Sequence, residues 1–138
     1  MKRFLAPILL MVFLFPSLAL GQAVTMDDLV ITNGLYYKKF TNVPFTGEVT
    51  GRIQGTFKDG NQDGLWVGYH ENGQLEFKGT FKDGKREGPW VFYYDNGQLS
   101  LEGTYKDGKA DGPWISFNED GTVDEGWTGT WKDGVKVE

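Results

Sequence analysis

The sequence predicts an all-β fold: an antiparallel meander of 24-residue β-hairpin repeats forming a single-layer or curved sheet. Three features carry that expectation. A Gly-Thr-aromatic-Lys-Asp-Gly block recurs at Gly55–Gly60, Gly79–Gly84, Gly103–Gly108 and Gly129–Gly134, in steps of 24, 24 and 26 residues. Two further blocks keep the same register. One is Asp63-Gly64-Leu65-Trp66, Glu87-Gly88-Pro89-Trp90 and Asp111-Gly112-Pro113-Trp114. The other is Glu71-Asn72-Gly73-Gln74, Asp95-Asn96-Gly97-Gln98 and Glu119-Asp120-Gly121-Thr122. Between these turn signals, apolar and polar residues alternate with a period of two, the strand period.

From the N-terminus, residues 1–23 read as a secretory signal peptide. Lys2 and Arg3 form a positive start, Phe4 to Leu20 is an uncharged apolar run, and Ala19, Gly21 and Ala23 suit a signal-peptidase site. Cleavage after Gly21 and after Ala23 both fit. The run is 17 residues long and contains Pro7 and Pro16, short of the roughly 20 residues that span a bilayer. The expected location is periplasmic or secreted, and membrane association is not expected once the signal is removed. Losing Lys2 and Arg3 takes the net charge from −5 to −7. An acidic chain is a poor match to nucleic acid, whose recognition relies on clustered Lys and Arg.

Residues 24–54 are expected to form an atypical N-terminal cap, which repeat arrays need in order to close exposed ends. Leu29–Thr32, Asn33-Gly34 and Leu35–Phe40 suggest a hairpin. From Phe45 to Phe57 one long strand is expected. Its odd positions are Phe45, Gly47, Val49, Gly51, Ile53, Gly55 and Phe57, and its even positions are polar. Residues 55–138 then form the array, with units at 55–78, 79–102 and 103–128 and a partial unit at 129–138. Asp-Gly and Asn-Gly supply the positive φ that tight hairpin turns require. The 26-residue step is even, so Trp127, Gly129 and Trp131 keep the face of their counterparts.

The second strand of each unit leaves two registers open. Trp66, Trp90 and Trp114 have one parity, while Val67/Tyr69, Val91/Tyr93 and Ile115/Phe117 have the other. A two-residue Asn-Gly turn sets Trp66 opposite Gly79 and Trp90 opposite Gly103. A three-residue Glu-Asn-Gly loop with a bulge moves the Val/Tyr parity to the core face. The second register is favoured, because the Trp parity also holds Gly68, His70, Ser116 and Asn118. Either way, one repeated apolar stripe lies off the core face. It either folds over neighbouring strands or contacts a partner.

The pattern Phe77-x-Gly79-x-Phe81-x-x-Gly84-x-x-x-Gly88 resembles MORN repeats. It recurs from Ile53, Leu101 and Trp127, with aliphatic residues replacing the first aromatic at Ile53 and Leu101. Gly-Pro-Trp, Asn-Gly-Gln-Leu and Gly-Thr-Phe-Lys-Asp-Gly together resemble the bacterial YwqK-type family, as do Tyr36–Phe40 and Pro44–Gly47. That resemblance implies a hairpin array that works as an interaction module and an antitoxin role. The export signal departs from a cytoplasmic antitoxin.

Little in the sequence supports catalysis or cofactor chemistry. Cysteine is absent, which excludes disulfides and thiolate sites. His70 stands alone, and neither Ser100 nor Ser116 lies in a nucleophile elbow. Asp59-Gly60-Asn61-Gln62-Asp63-Gly64 opens like a calcium loop. Its twelfth position is His70, however, and Lys85 and Lys109 replace Asn61 in later units. No metal, cofactor or enzymatic activity is expected. The partner is expected to be another protein contacted through Trp66, Trp90, Trp114, Phe92 and Tyr94. The alternative partner is cell-wall glycan stacked on the same aromatic stripe.

Overall fold

The computed structural model describes residues 22–138. The signal-peptide reading therefore falls almost wholly outside the described residues. After a short 3-10 turn at Met26–Asp28, the described chain is a succession of antiparallel hairpins. β1 (Leu29–Thr32) and β2 (Leu35–Lys38) form a separate two-stranded sheet. The main sheet runs through β3 (Gly47–Val49), β4 (Ile53–Lys58), β5 (Asn61–Tyr69), β6 (Leu75–Lys82), β7 (Lys85–Tyr93) and β8 (Leu99–Lys106). It continues through β9 (Lys109–Ala110), β10 (Gly112–Ser116), β11 (Gly129–Lys132) and β12 (Val135–Lys136). Each strand pairs with the next, save that β9 and β10 both pair with β8, so the all-β antiparallel meander is observed.

The Asp-Gly turns form as expected. Asp83 and Gly84 have φ of 50° and 78°, and Lys82 pairs directly with Lys85, the two-residue geometry with positive φ at both central positions. The turns are also linked to one another. The Gly84 N–H donates to the Gln62 carbonyl at 3.0 Å, Gly108 to Arg86 at 2.9 Å and Gly134 to Ala110 at 2.9 Å.

Residues 45–57 are not one strand. The chain reverses at Thr50–Arg52, where Gly51 has φ of 97°, and β3 folds back on β4 with Val49 opposite Gly55 and Gly47 opposite Phe57. Alternation could not reveal this turn, because it pairs odd residues with odd residues and leaves the face unchanged.

The favoured register of the second strand is also corrected. The three-residue Glu-Asn-Gly loop does form: the His70 N–H donates to the Gln74 carbonyl, and Tyr69 pairs with Leu75. One step further, however, Gly68 pairs with Phe77, leaving Glu76 as an extra residue. Ser100 plays the same part between the Tyr93–Leu99 and Phe92–Leu101 pairs. This second bulge cancels the offset of the loop, so Trp66 lies opposite Gly79 and Trp90 opposite Gly103. The tryptophans thus share the face of Phe57, Phe81 and Tyr105.

That face holds the core. Phe57, Trp66, Phe81, Trp90, Tyr105 and Trp114 form a continuous row of edge-on aromatic contacts with centroids 4.9 to 6.0 Å apart. Edge-to-face packing brings the positive ring edge to the negative ring face. At the N-terminal end Leu29, Val49, Phe57 and Trp66 form one buried cluster, against which Val24, Met26, Tyr36 and Phe45 pack. Tyr36 N–H donates to the Gly60 carbonyl, and Gly60 N–H to that of Phe45, tying the first hairpin to the sheet.

Candidate functional site

Of the five residues expected at the partner surface, three are interior. Trp66, Trp90 and Trp114 are 1 %, 2 % and 6 % exposed. A Cβ added at Gly55, Gly79 or Gly103 would come far inside van der Waals contact with the indole of Trp66, Trp90 or Trp114 respectively. Each indole therefore covers the glycine of the preceding strand, and the Gly-Thr-aromatic block is what makes room for it. Trp90 and Trp114 donate their indole N–H to the Thr80 and Thr104 carbonyls at 3.1 Å. With so little of any of the three indoles exposed, they do not form the open stripe of stacking surfaces that the sequence suggests, although one side of Trp114 borders a cleft.

Phe92 and Tyr94 are half-buried on the same face. Phe92 stacks on Trp90 with centroids 5.8 Å apart. The Tyr94 hydroxyl donates to the Phe117 carbonyl at 2.7 Å. His70, one repeat earlier, does the same thing with its ring: Nε2 lies 2.8 Å from the Tyr93 carbonyl and must donate to it. His70 is thus half-buried and serves as an inter-repeat bond, which its lone place in the sequence did not suggest.

The opposite face carries the second apolar stripe. Residues paired across antiparallel strands share a face. Val67, Lys78, Val91, Glu102 and Ile115 are joined in one row by direct pairing. Nearer the Asn-Gly turns lie the pairs Tyr69–Leu75, Tyr93–Leu99 and Phe117–Val123. Between the second and third units, Pro89, Val91, Glu102, Thr104, Pro113 and Ile115 line a shallow groove on this face.

Reading the sequence by strand parity missed the aromatic pair that is most open. Trp127 is 59 % exposed and stacks on Trp131, with centroids 5.3 Å apart and planes 14° apart. Both border a small cleft with Leu101, Tyr105, Ala110 and Trp114. Trp127 precedes β11, where no strand partner covers it. Among the described residues no group of three or more His, Asp or Glu is placed to hold a metal ion.

No curated protein gives a significant match to this chain. Two stretches, residues 62–83 and 86–107, match the family model described as the MORN repeat variant, and the chain therefore carries two such repeats at its centre.

Proposed function

We propose that the chain is an exported, non-catalytic scaffold that works by binding another protein in the periplasm or outside the cell. MORN repeats are in general contact modules for proteins or membranes and are generally non-catalytic. The observation that carries the reading is the apolar stripe on the face away from the tryptophan row. Val67, Tyr69, Val91, Tyr93, Ile115 and Phe117 repeat at 24-residue steps and stay half-buried. A regular row of aliphatic and aromatic side chains with Lys78 and Glu102 between them has the make-up of a contact surface: apolar at its centre, with charges that set register.

The net charge of −7 after residues 1–23 favours a basic partner. The YwqK-type resemblance supports an antitoxin or immunity role for this pairing, against a toxin acting in the same compartment. The glycan alternative loses Trp66, Trp90 and Trp114 as stacking platforms and rests on the exposed face of Trp127.

The test is affinity purification of the C-terminally tagged chain from its host envelope, beside a Val91→Ser/Tyr93→Ala variant. One stoichiometric protein captured by the parent and lost from the still-folded variant is the expected result. Equal capture by both overturns the stripe as contact surface. A bait held in the cell-wall pellet with no protein enriched turns the reading to glycan.

A further inference from the structure

Adjacent units differ in what covers their tryptophan. In the unit of Trp90, the Arg86 guanidinium carbon lies 4.7 Å from the Trp90 ring centre, 5.5 Å from that of Phe92 and 5.3 Å from that of Tyr105. Its Nη1 donates to the Tyr105 hydroxyl at 3.0 Å. Arg86 pairs with Phe81 and so lies on the tryptophan face. One repeat on, Tyr105 pairs with Ala110, which has no side chain beyond Cβ. There the space taken by Arg86 is a cavity of about 60 Å³ walled by Leu101, Tyr105, Ala110, Trp114, Trp127 and Trp131.

The walls correspond unit by unit. Trp114 stands where Trp90 does, and Trp131 and Trp127, after the 26-residue step, stand where Tyr105 and Leu101 do. One wall changes character: the counterpart of Phe92 is Ser116. The Ser116 hydroxyl is 3.5 Å from an Asp124 carboxylate oxygen. Asp124 and Ser116 line a second hollow that shares Leu101 and Trp127 with the first. The unit therefore offers aromatic faces and, beside them, a carboxylate.

We infer that this cleft is a binding site for an arginine side chain of a basic partner protein, which enters over Trp114 as Arg86 lies over Trp90. A guanidinium is planar, weakly hydrated and attracted to indole faces, and its fork can pair with a carboxylate. Asp124 supplies that carboxylate here. The acidic balance of the chain favours such a partner. The partner's being a protein rests on the preceding reading, but the recognition of guanidinium does not.

The test uses the chain lacking residues 1–21, acetyl-arginine-amide as the probe, and the indole N–H signals in nitrogen–proton correlation spectra. Saturable shifts confined to Trp114, Trp127 and Trp131 are expected, with acetyl-citrulline-amide, the neutral analogue, about tenfold weaker or more. Ala110→Arg should fill the cleft from within and abolish the shifts while the Trp66 and Trp90 signals stay in place. Trp127→Ala should weaken binding in the same direction. Equal response to citrulline, or an undiminished response in Ala110→Arg, overturns the site. Envelope capture separates the two ideas. A partner held equally by the parent and Ala110→Arg removes the cleft from the interface while leaving the interaction-module reading intact.

Discussion

The Trp90 indole covers Gly79 of the neighbouring strand so closely that a Cβ at Gly79 would clash with the ring. The glycine and the tryptophan are thus two halves of one packing unit, repeated as Gly55 with Trp66 and Gly103 with Trp114. Gly79→Ala is expected to destabilise the fold by about 1–3 kcal/mol, the usual range for overfilling a packed site. Trp90→Ala should cost about 3–5 kcal/mol. Urea unfolding of both variants checks the pair; a Gly79→Ala variant as stable as the parent would refute the packing argument.

Arg86 tests the other side of the same ring. Removing its guanidinium takes away three aromatic contacts and the bond to the Tyr105 hydroxyl. Arg86→Ala is expected to lower stability by about 1–2 kcal/mol. Arg86→Lys should recover only part, because an ammonium lacks the planar fork. Thermal melts of the three proteins should rank them parent, Lys, Ala.

The turn at Asp83-Gly84 needs positive φ at both positions, and Gly84 sits at 78°. A Cβ there would also come within 2.9 Å of the Asn61 side-chain oxygen. Gly84→Ala should cost about 1–2 kcal/mol from the left-handed backbone alone. Hydrogen exchange at the Gly84 amide, which donates to Gln62, should report the loosened turn directly.

His70 and Tyr94 bond the carbonyls of Tyr93 and Phe117 with chemically different side chains. His70→Ala is expected to lose about 1 kcal/mol, the worth of one such bond. His70→Tyr should keep most of the stability, since tyrosine already makes the bond one repeat on. A tyrosine variant no better than alanine would show that the two positions are not equivalent.

At the N-terminus the Asp28 carboxylate accepts bonds from the Thr25 amide at 2.8 Å and the Thr25 hydroxyl at 3.1 Å. These bonds hold its pKa below the ordinary 3.8, with Lys38 and Lys39 adding a smaller pull. A lowered folded-state pKa means the contribution is complete above pH 3.8 and disappears as the pH falls from there through the folded value. Asp28→Asn should therefore loosen the first hairpin at neutral pH and flatten the acid limb of its stability.

Much of this was legible in the sequence because one physical constraint was repeated several times. Asn33-Gly34 and the four Lys-Asp-Gly turns could be placed to the residue, since only a positive-φ pair fits there. The register of the second strand could not. Glu-Asn-Gly does mark a three-residue loop, yet the bulges at Glu76 and Ser100 reverse its consequence, and neither residue type marks a bulge. The reversal at Gly51 was hidden for a related reason: a turn that joins like parities leaves alternation intact. As for the site, the tryptophans stood out in the sequence by size, but size does not distinguish a ring that packs on a neighbouring glycine from one that waits for a partner. Ala110 gave no signal at all, because what matters there is the side chain it lacks.

The Gly-to-carbonyl bonds that tie each Asp-Gly turn to the preceding unit recur without change at Gly84, Gly108 and Gly134. Every unit thus presents the next with the same plug and the same socket. In such an array stability comes mainly from each unit and its neighbours. Units could be removed or duplicated in whole 24-residue steps without a new joint being needed. Each step would lengthen the sheet by two strand spacings, about 9.5 Å, making repeat number a ruler by which the reach of the molecule is set.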